Sequence, residues 1–454
     1  MKTLVIIGSG FSGTVTAIEF LKRRGREIKV IIINRSGLMA RGLAYGTRSA
    51  HHLLNVPAGN MSALVNDSSS FLNYCKTFDG TATASSFMPR QLYGQYLNEL
   101  LLSALKACPL AEHRVGEVTY VEPCQNGARV HLVGDEVIQA DHVVMAVGNF
   151  SPVTPHVLRK IERTSRYHAD PWNIEDLHSI LSNQVVLLLG SGLTALDMLT
   201  NLVQKGHRGP IYMLSRRGLL PINHRMLSTG HTQIEGVYEA LAKEAPKIRR
   251  YLRVFRNIAA TEASNGHDWR DVLASLRPVT PELWRRLPVN EQKRFLRHVQ
   301  PYWDVHRHRV APATYATFLQ AIDSRQLKPL AGRLSEIEST KGGLNIHFQR
   351  RNTLQPSELF VHHVINCTGP NSNLSQIEQP FIKRLIDDGT LRADAHGLGM
   401  IVNTELAVID NHGMPSPWLS YVGPMLKATF WEATAVPELK VHSHRLATRL
   451  ANQL

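Results

Sequence analysis

A glycine turn set between a β-branched strand and a helix occurs twice in this chain, at matched spacing. The first copy reads TLVIIGSGFSGTVTAIEFLKRRG: Leu4–Ile7 run into Gly8, Gly10 and Gly13, a helical stretch follows, and Gly25 is expected to stop it. IKVIII (28–33) is the next strand. The second copy reads VVLLLGSGLTALDMLTNLVQKG, with Gly190, Gly192 and Ala195 at the three positions, Gly206 at the helix end and IYMLS (211–215) as the following strand. From first glycine to second strand tip is 26 residues in one copy (Gly8 to Asn34) and 25 in the other (Gly190 to Ser215). Strand, tight turn, helix, strand is the context that gives this spacing its meaning. The first glycine permits the turn and the second lets the backbone approach a pyrophosphate. The third allows close helix–strand packing, and the helix N-terminus then faces the phosphates. The expected fold is α/β, with two Rossmann-like dinucleotide-binding domains.

The second-strand tips separate the two nucleotides. An acid there binds ribose hydroxyls in NAD or FAD sites. The second copy carries Ser215-Arg216-Arg217 instead, with no acid before Glu235. Arginine suits a 2′-phosphate that a carboxylate would repel, so Arg216 and Arg217 assign this site to NADPH. The first copy ends in Asn34-Arg35; Asn34 can bond one ribose hydroxyl but lacks the carboxylate. DHVVMAVG (141–148) and VHHVINCTG (361–369) are each a strand closing on small residues and a glycine, Gly148 and Gly369. They resemble the strands by which flavoproteins with two dinucleotide domains re-enter the FAD domain and pass beneath the cofactor, a resemblance that restores FAD to the first site. The expected layout is an FAD-binding domain begun by 1–152, an NADPH-binding domain over 153–325 with a helical basic insertion at about 236–300, and a return to the FAD domain over 326–454.

Length and charge narrow the rest. A chain of 454 residues exceeds one ordinary core. No apolar run approaches the roughly 18 residues of a membrane helix, and the apolar start MKTLVII gives way to glycines too soon for a signal peptide, so the cytoplasm is the expected location and no membrane partner is expected. None of Cys75, Cys108, Cys124 and Cys367 forms a C-x-x-C pair, which argues against structural zinc and a redox dithiol. Net charge is +14, and residues 201–320, with 20 Lys/Arg against 9 Asp/Glu, hold +11 of it. Such a region attracts nucleic acid, a membrane surface or anionic small molecules. Lys247, Arg249, Arg250, Arg253 and Arg256 lie within ten residues, at a helical spacing that more often marks a solvated or cofactor-facing surface than a nucleic-acid groove. A small-molecule substrate, anionic by this charge, is the expected partner.

The basic segment ends in PYWDVHRHRVAP (301–312), where the chain crosses back toward the FAD domain. If it is extended, His306 and His308 share one face, and Arg307 and Arg309 the other. Two histidines with only Asp304 nearby make a poor metal site, and no metal is expected. The arginine face is a candidate clamp for the NADPH phosphates or an acidic substrate; a structural hinge is the competing reading. Trp303, His306, Arg307, His308 and Arg309 are candidates for the catalytic region.

The double fingerprint resembles flavin-dependent, NADPH-using oxidoreductases of the glutathione-reductase-like fold, and without a dithiol the class B flavin monooxygenases in particular. MSA (61–63), SFLNY (70–74) and PRQLYGQYL (89–97) are similar to a pattern of the amino-acid N-hydroxylases, departing at Leu92, where those enzymes commonly have Glu. GLAYG (42–46), LLNVPA (53–58), WDVHRHR (303–309) and WEATAVPEL (431–439) look like the marks of a bacterial family named for FAD/NAD(P) binding. The resemblance implies a single-component monooxygenase that oxygenates a nitrogen or sulfur nucleophile through a flavin hydroperoxide. It makes Asn55, Met61, Ser62 and Arg90 candidate flavin-side residues; a solvated helix-start arginine is the competing reading of Arg90. Relatives often place glycine-aspartate where this chain has VGP (422–424), so the backbone around Gly423 replaces the aspartate as the expected flavin contact. HADPW (168–172) keeps the second half of the Baeyer–Villiger fingerprint, but Glu162 and Thr164 stand where it needs Phe and Gly, leaving Trp172 as a hinge-packing residue. The alternatives are an FAD/NADPH reductase serving another acceptor, and a non-catalytic flavin- or nucleic-acid-binding protein.

Overall fold

The computed structural model describes all residues except 24–26, 174–175, 226–231 and 354, and the two fingerprints open two separate sheets in it. Gly25 lies outside the described residues. The first sheet runs, edge to edge, Ala407–Ile409, Pro415–Tyr421, His142–Met145, Lys2–Ile7, Ile28–Asn34 and Ala111–Val115. All neighbours are parallel except the first pair. Parallel strands are covered on both faces and read as continuous apolar runs, as Leu4, Val5 and Ile6 do, each fully buried. Helix Phe11–Leu21 is buried along its whole length; the closing helix Val436–Gln453 packs along it, with Ser443 donating to the Ser12 carbonyl and His444 meeting Glu19. Val118–Cys124, Gly127–Leu132 and Val137–Ala140 form a separate antiparallel meander.

The second sheet runs Pro356–Val361, Leu344–Arg350, Leu327–Ser339, Ile211–Ser215, Val186–Leu189, His363–Asn366 and Tyr167–His168. This corrects two expectations. The chain does not return to the first sheet at 326, and the segment 361–369 does not re-enter it. His363–Asn366 pairs with Val186–Leu189 instead, from His363↔Val186 to Asn366↔Leu189. An apolar strand ending in glycine fits beside either fingerprint strand. The antiparallel excursion over 327–361 keeps the chain in the second sheet for another 40 residues or so.

The helical insertion also docks differently from its place in the sequence. Its core, with Trp284 and Phe295, takes in Leu398 and Trp431 from the C-terminal return, and Trp284 Nε1 donates to the Ala428 carbonyl at 3.1 Å. The helices therefore rest on the segment that follows Gly423. Among the described residues no helix is long and apolar enough to cross a membrane, and no group of three His, Cys, Asp or Glu is placed to hold a metal.

His142 makes the first sheet acid-sensitive. It is 1% exposed, with Nε2 2.9 Å from Ser420 Oγ; burial first, then Arg449, push its imidazole down to about 3. The folded chain keeps it neutral while the unfolded chain protonates it below about 6.5. This stabilisation is present above that pH and is lost as pH falls toward 3. Urea midpoints should drop between pH 7.5 and 5.5, and the drop should be smaller in His142→Gln.

Candidate functional site

The first cradle lies at the carboxyl ends of strands Lys2–Ile7 and His142–Met145. Gly8 has φ +103°, and a Cβ there would stand 2.6 Å from the Ala146 carbonyl oxygen. A Cβ on Gly13 would overlap the Gly8 carbonyl. Gly10 begins helix Phe11–Leu21 with no side-chain cap, which leaves first-turn amides for an outside acceptor. Gly148 has open space around it, and Gly423 stands beside Val147 and the Tyr421 hydroxyl, which donates to the Val147 carbonyl. These residues converge as a nucleotide cradle requires, and the fit rests on backbone that side chains would fill.

The second cradle repeats this construction. Gly190 has φ +121°, and a Cβ there would overlap the Cys367 carbonyl, as one on Gly8 would meet Ala146. Gly8 N donates to Ile33 O and Gly190 N to Leu214 O, both at 2.8 Å. Gly192 begins helix Leu193–Gln204, also without a side-chain cap, and Ala195 is fully buried. Gly369 therefore stands to Gly190 as Gly148 stands to Gly8, beside the second cradle rather than the first. The serine inside each G-S-G was not singled out from the sequence. Ser9 Oγ accepts from Ala40 N at 3.0 Å, and Ser191 Oγ donates to Leu219 O at 2.6 Å; each ties its turn to the loop after the second strand.

At the strand tips, Asn34 donates to Ser36 Oγ and to the Leu38 carbonyl, so its carboxamide oxygen is the group left for a ribose hydroxyl. Arg216 is exposed. Arg217 donates to the Arg297 carbonyl at 2.6 Å and lies 5.9 Å from the Tyr302 ring, so it fastens the helical insertion. Arg351 joins the group by donating to the Arg217 carbonyl at 3.0 Å. Its place 134 residues downstream hid it from sequence reasoning.

The residues expected at the flavin face divide differently. Arg90 is not solvated: it donates to the Leu53 carbonyl at 3.1 Å and pairs with the buried Asp197 at 2.9 Å. Asp197 sits on the second fingerprint helix, so Arg90 joins the two domains. Trp172 packs over this joint, its ring 5.7 Å from both the Arg90 guanidinium and the buried His52 ring, which fits the hinge reading. Ser62 spends its hydroxyl on the Leu64 and Asp67 carbonyls and Met61 is 2% exposed; both support the first core. The Asn55 carbonyl lies 2.9 Å from His224 Nε2, another contact between the halves.

The crossover segment is helical, which overturns the extended reading. Pro301 and Pro312 each occupy the first turn of a helix, Gln300–Arg307 and Pro312–Asp323, where a missing N–H costs nothing. The helix ends at Arg307, so Arg309 lies beyond it, and both side chains border one cavity. Trp303 Nε1 and Arg307 Nε both donate to Glu432, at 2.8 and 2.9 Å, and Glu432 is 3% exposed. The anion held by Arg307 is thus the protein's own carboxylate. His306 meets the Tyr302 carbonyl and the edge of Trp269. His308 lies 3.9 Å from Asp304, with its imidazole pushed down by burial and then by Arg307 and Lys427. Arg309, 8% exposed, lines a cavity of about 310 Å³.

Residues 5–150 match the family model of FAD-NAD(P)-binding domains. An uncharacterised protein of Mycobacterium tuberculosis is 21% identical over 416 residues, covering 83% of this chain and 75% of its own length. Among solved structures, L-lysine 6-monooxygenase from Pseudomonas syringae superposes with a TM-score of 0.67 at 16% identity over the whole of both chains. Ornithine hydroxylase from Pseudomonas aeruginosa gives 0.65 at 15% over 99% of both. Thioredoxin reductase of T. acidophilum gives 0.55 at 10%, over 100% of this chain and 99% of its own. These likenesses give the fold, that of a flavoprotein with two dinucleotide-binding units.

Proposed function

We propose that this chain is an FAD-dependent, NADPH-using oxidoreductase, and within that class a single-component monooxygenase acting on a nitrogen or sulfur nucleophile of a small molecule. The observation that carries the reading is the doubled cradle: Gly8 against Ala146 and Gly190 against Cys367, each at the uncapped start of a helix, with arginine rather than a carboxylate at the second strand tip. FAD, when bound, supplies the hydride acceptor and, once reduced, the centre that activates oxygen. The amides after Gly10 and Gly192 would hold the two pyrophosphates, Asn34 one ribose hydroxyl and Arg216 the 2′-phosphate. Arg90, Asp197 and Trp172 fix the approach of the two halves and keep water from the joint. Cys367, nearest the second cradle, is fully enclosed and its thiol is pushed up by burial, which suits no dithiol relay. The lysine and ornithine enzymes named above support the monooxygenase reading by their shared fold.

The two tip arginines give separable expectations. Arg216→Ala should weaken NADPH binding about 10- to 100-fold, the worth of a charge-assisted phosphate contact, and leave NADH binding unchanged. Arg217→Ala should lower thermal stability more than it alters NADPH affinity. Isothermal titration with both nucleotides and thermal melts check this; equal weakening toward NADH would remove Arg216 from the phosphate site. Oxygen uptake measured beside NADPH consumption, with amine and thioether substrates, tests the monooxygenase step. Brisk anaerobic turnover with quinones or ferric chelates would favour the reductase reading instead.

A further inference from the structure

Where the crossover helix, the helical insertion and the start of the C-terminal helix meet, Arg225, Arg270, Arg277, Arg307, Arg309 and Lys440 lie among Asp268, Asp271, Glu432 and Glu438. Arg225 is held by Asp271 at 2.7 Å and Asp268 at 3.3 Å. Arg270 shares Asp268 at 3.1 Å. Arg307 takes Glu432 at 2.9 Å, and Arg277 takes Glu438 through both Nε and Nη2. Among the described residues this leaves Arg309 and Lys440 without a carboxylate at ion-pair distance. Arg309 is the sharper case: it is 8% exposed and its Nε is buried with no hydrogen-bond partner. Burial first, then Arg270, Arg307 and Arg225, push its guanidinium down to about 10, against a smaller opposing pull from Asp268. Lys440 is lowered too, by burial and then Arg277.

A buried cation without a partner is costly, and folds rarely retain one unless a ligand compensates it. Both unpaired cations line the same cavity of about 310 Å³, with Asn60 and Ser68 supplying neutral polar groups on its wall. The cavity is also placed for use. Lys440 lies three residues before Ser443, whose hydroxyl donates to the Ser12 carbonyl in the first turn of the first fingerprint helix. That offset is about 4.5 Å of helix rise, so one wall of the cavity is the helix that packs on the first fingerprint helix, and no cradle glycine lines it. Arg216 and Gly192 do not line it, which separates it from the second nucleotide's phosphates.

We propose that this cavity binds a compact dianion, with its charge on a phosphate group or on two carboxylates, held by Arg309 and Lys440. The binding claim stands on the cavity alone. Its use as the anchor for the anionic end of the substrate rests on the flavin function proposed above.

Inorganic phosphate and succinate serve as probes, titrated calorimetrically at low salt into FAD-loaded and FAD-free protein, with Arg309→Met and Lys440→Met beside the wild type. The expected result is saturable one-to-one binding of at least one probe to both forms, weakened about tenfold or more in Arg309→Met. Without probe, Arg309→Met should melt at a higher temperature than wild type, because it removes an uncompensated buried charge; a packing arginine would show the opposite. Absence of saturable binding, unchanged affinity in Arg309→Met, or binding that FAD abolishes would overturn the proposal, the last by giving the cavity to the flavin. A protein that takes up no FAD would defeat the flavin function but leave the FAD-free titration as a valid test of the site.

Discussion

Gly8→Ala is expected to yield a protein that no longer retains FAD. At φ +103° any side chain is strained by about 1–3 kcal/mol. The added Cβ would also stand 2.6 Å from a backbone oxygen, that of Ala146, which cannot swing aside as a flexible side chain would. Relief requires parting strands Lys2–Ile7 and His142–Met145 where the pyrophosphate is to be bound. Gly190→Ala applies the same insult to the second cradle through Cys367. It should keep the flavin spectrum and lose NADPH binding by more than about 100-fold, a cost of roughly 3 kcal/mol. Reconstitution with FAD, gel filtration and an absorption spectrum read the first variant, and NADPH titration the second. Full flavin retention in Gly8→Ala would move FAD out of the first cradle.

Glu432→Gln is expected to destabilise the fold by about 3–5 kcal/mol, the usual result of removing one partner from a buried pair. Glu432 is 3% exposed and holds both Arg307 and the Trp303 indole. The amide preserves shape and removes charge, so the loss reports on Arg307 being left with only the more distant Glu438, 3.8 Å away. Adding Arg307→Met should recover part of it, because the two residues act as one unit. Urea unfolding of the two singles and the double measures this coupling. A wild-type midpoint in Glu432→Gln would show that the Arg307 charge is compensated elsewhere. The contrast with Arg309→Met is the informative part: two neighbouring arginines, one paired and one not, should respond to charge removal with opposite signs.

The fingerprints were legible because their demands are local. A turn at positive φ against a neighbouring strand admits only glycine, and an uncapped helix start follows within two residues, so Gly8, Gly10, Gly190 and Gly192 could be read directly. The partner of each first glycine is a strand far along the chain. Nothing in VHHVINCTG says which sheet receives it, and the strand was accordingly expected in the first sheet rather than the second, where it pairs. The extended reading of the crossover failed for a related reason: a proline suits both an extended segment and the first turn of a helix, and only the fold shows that Pro301 and Pro312 are the latter. Arg307 and Arg309 look alike in WDVHRHR. Their difference is set by Glu432, 125 residues beyond Arg307, and no local pattern could supply it. Arg90 likewise found Asp197 across the domain joint, where the sequence offered only a flavin contact or a solvated helix start.

The most direct test is anaerobic stopped-flow mixing of FAD-reconstituted protein with NADPH and, separately, NADH, followed through the flavin absorbance. Rapid bleaching by NADPH, and slower or weaker bleaching by NADH, is the result predicted by FAD in the first cradle and a 2′-phosphate beside Arg216. A protein that holds FAD yet is bleached by neither nucleotide, or equally by both, would contradict it.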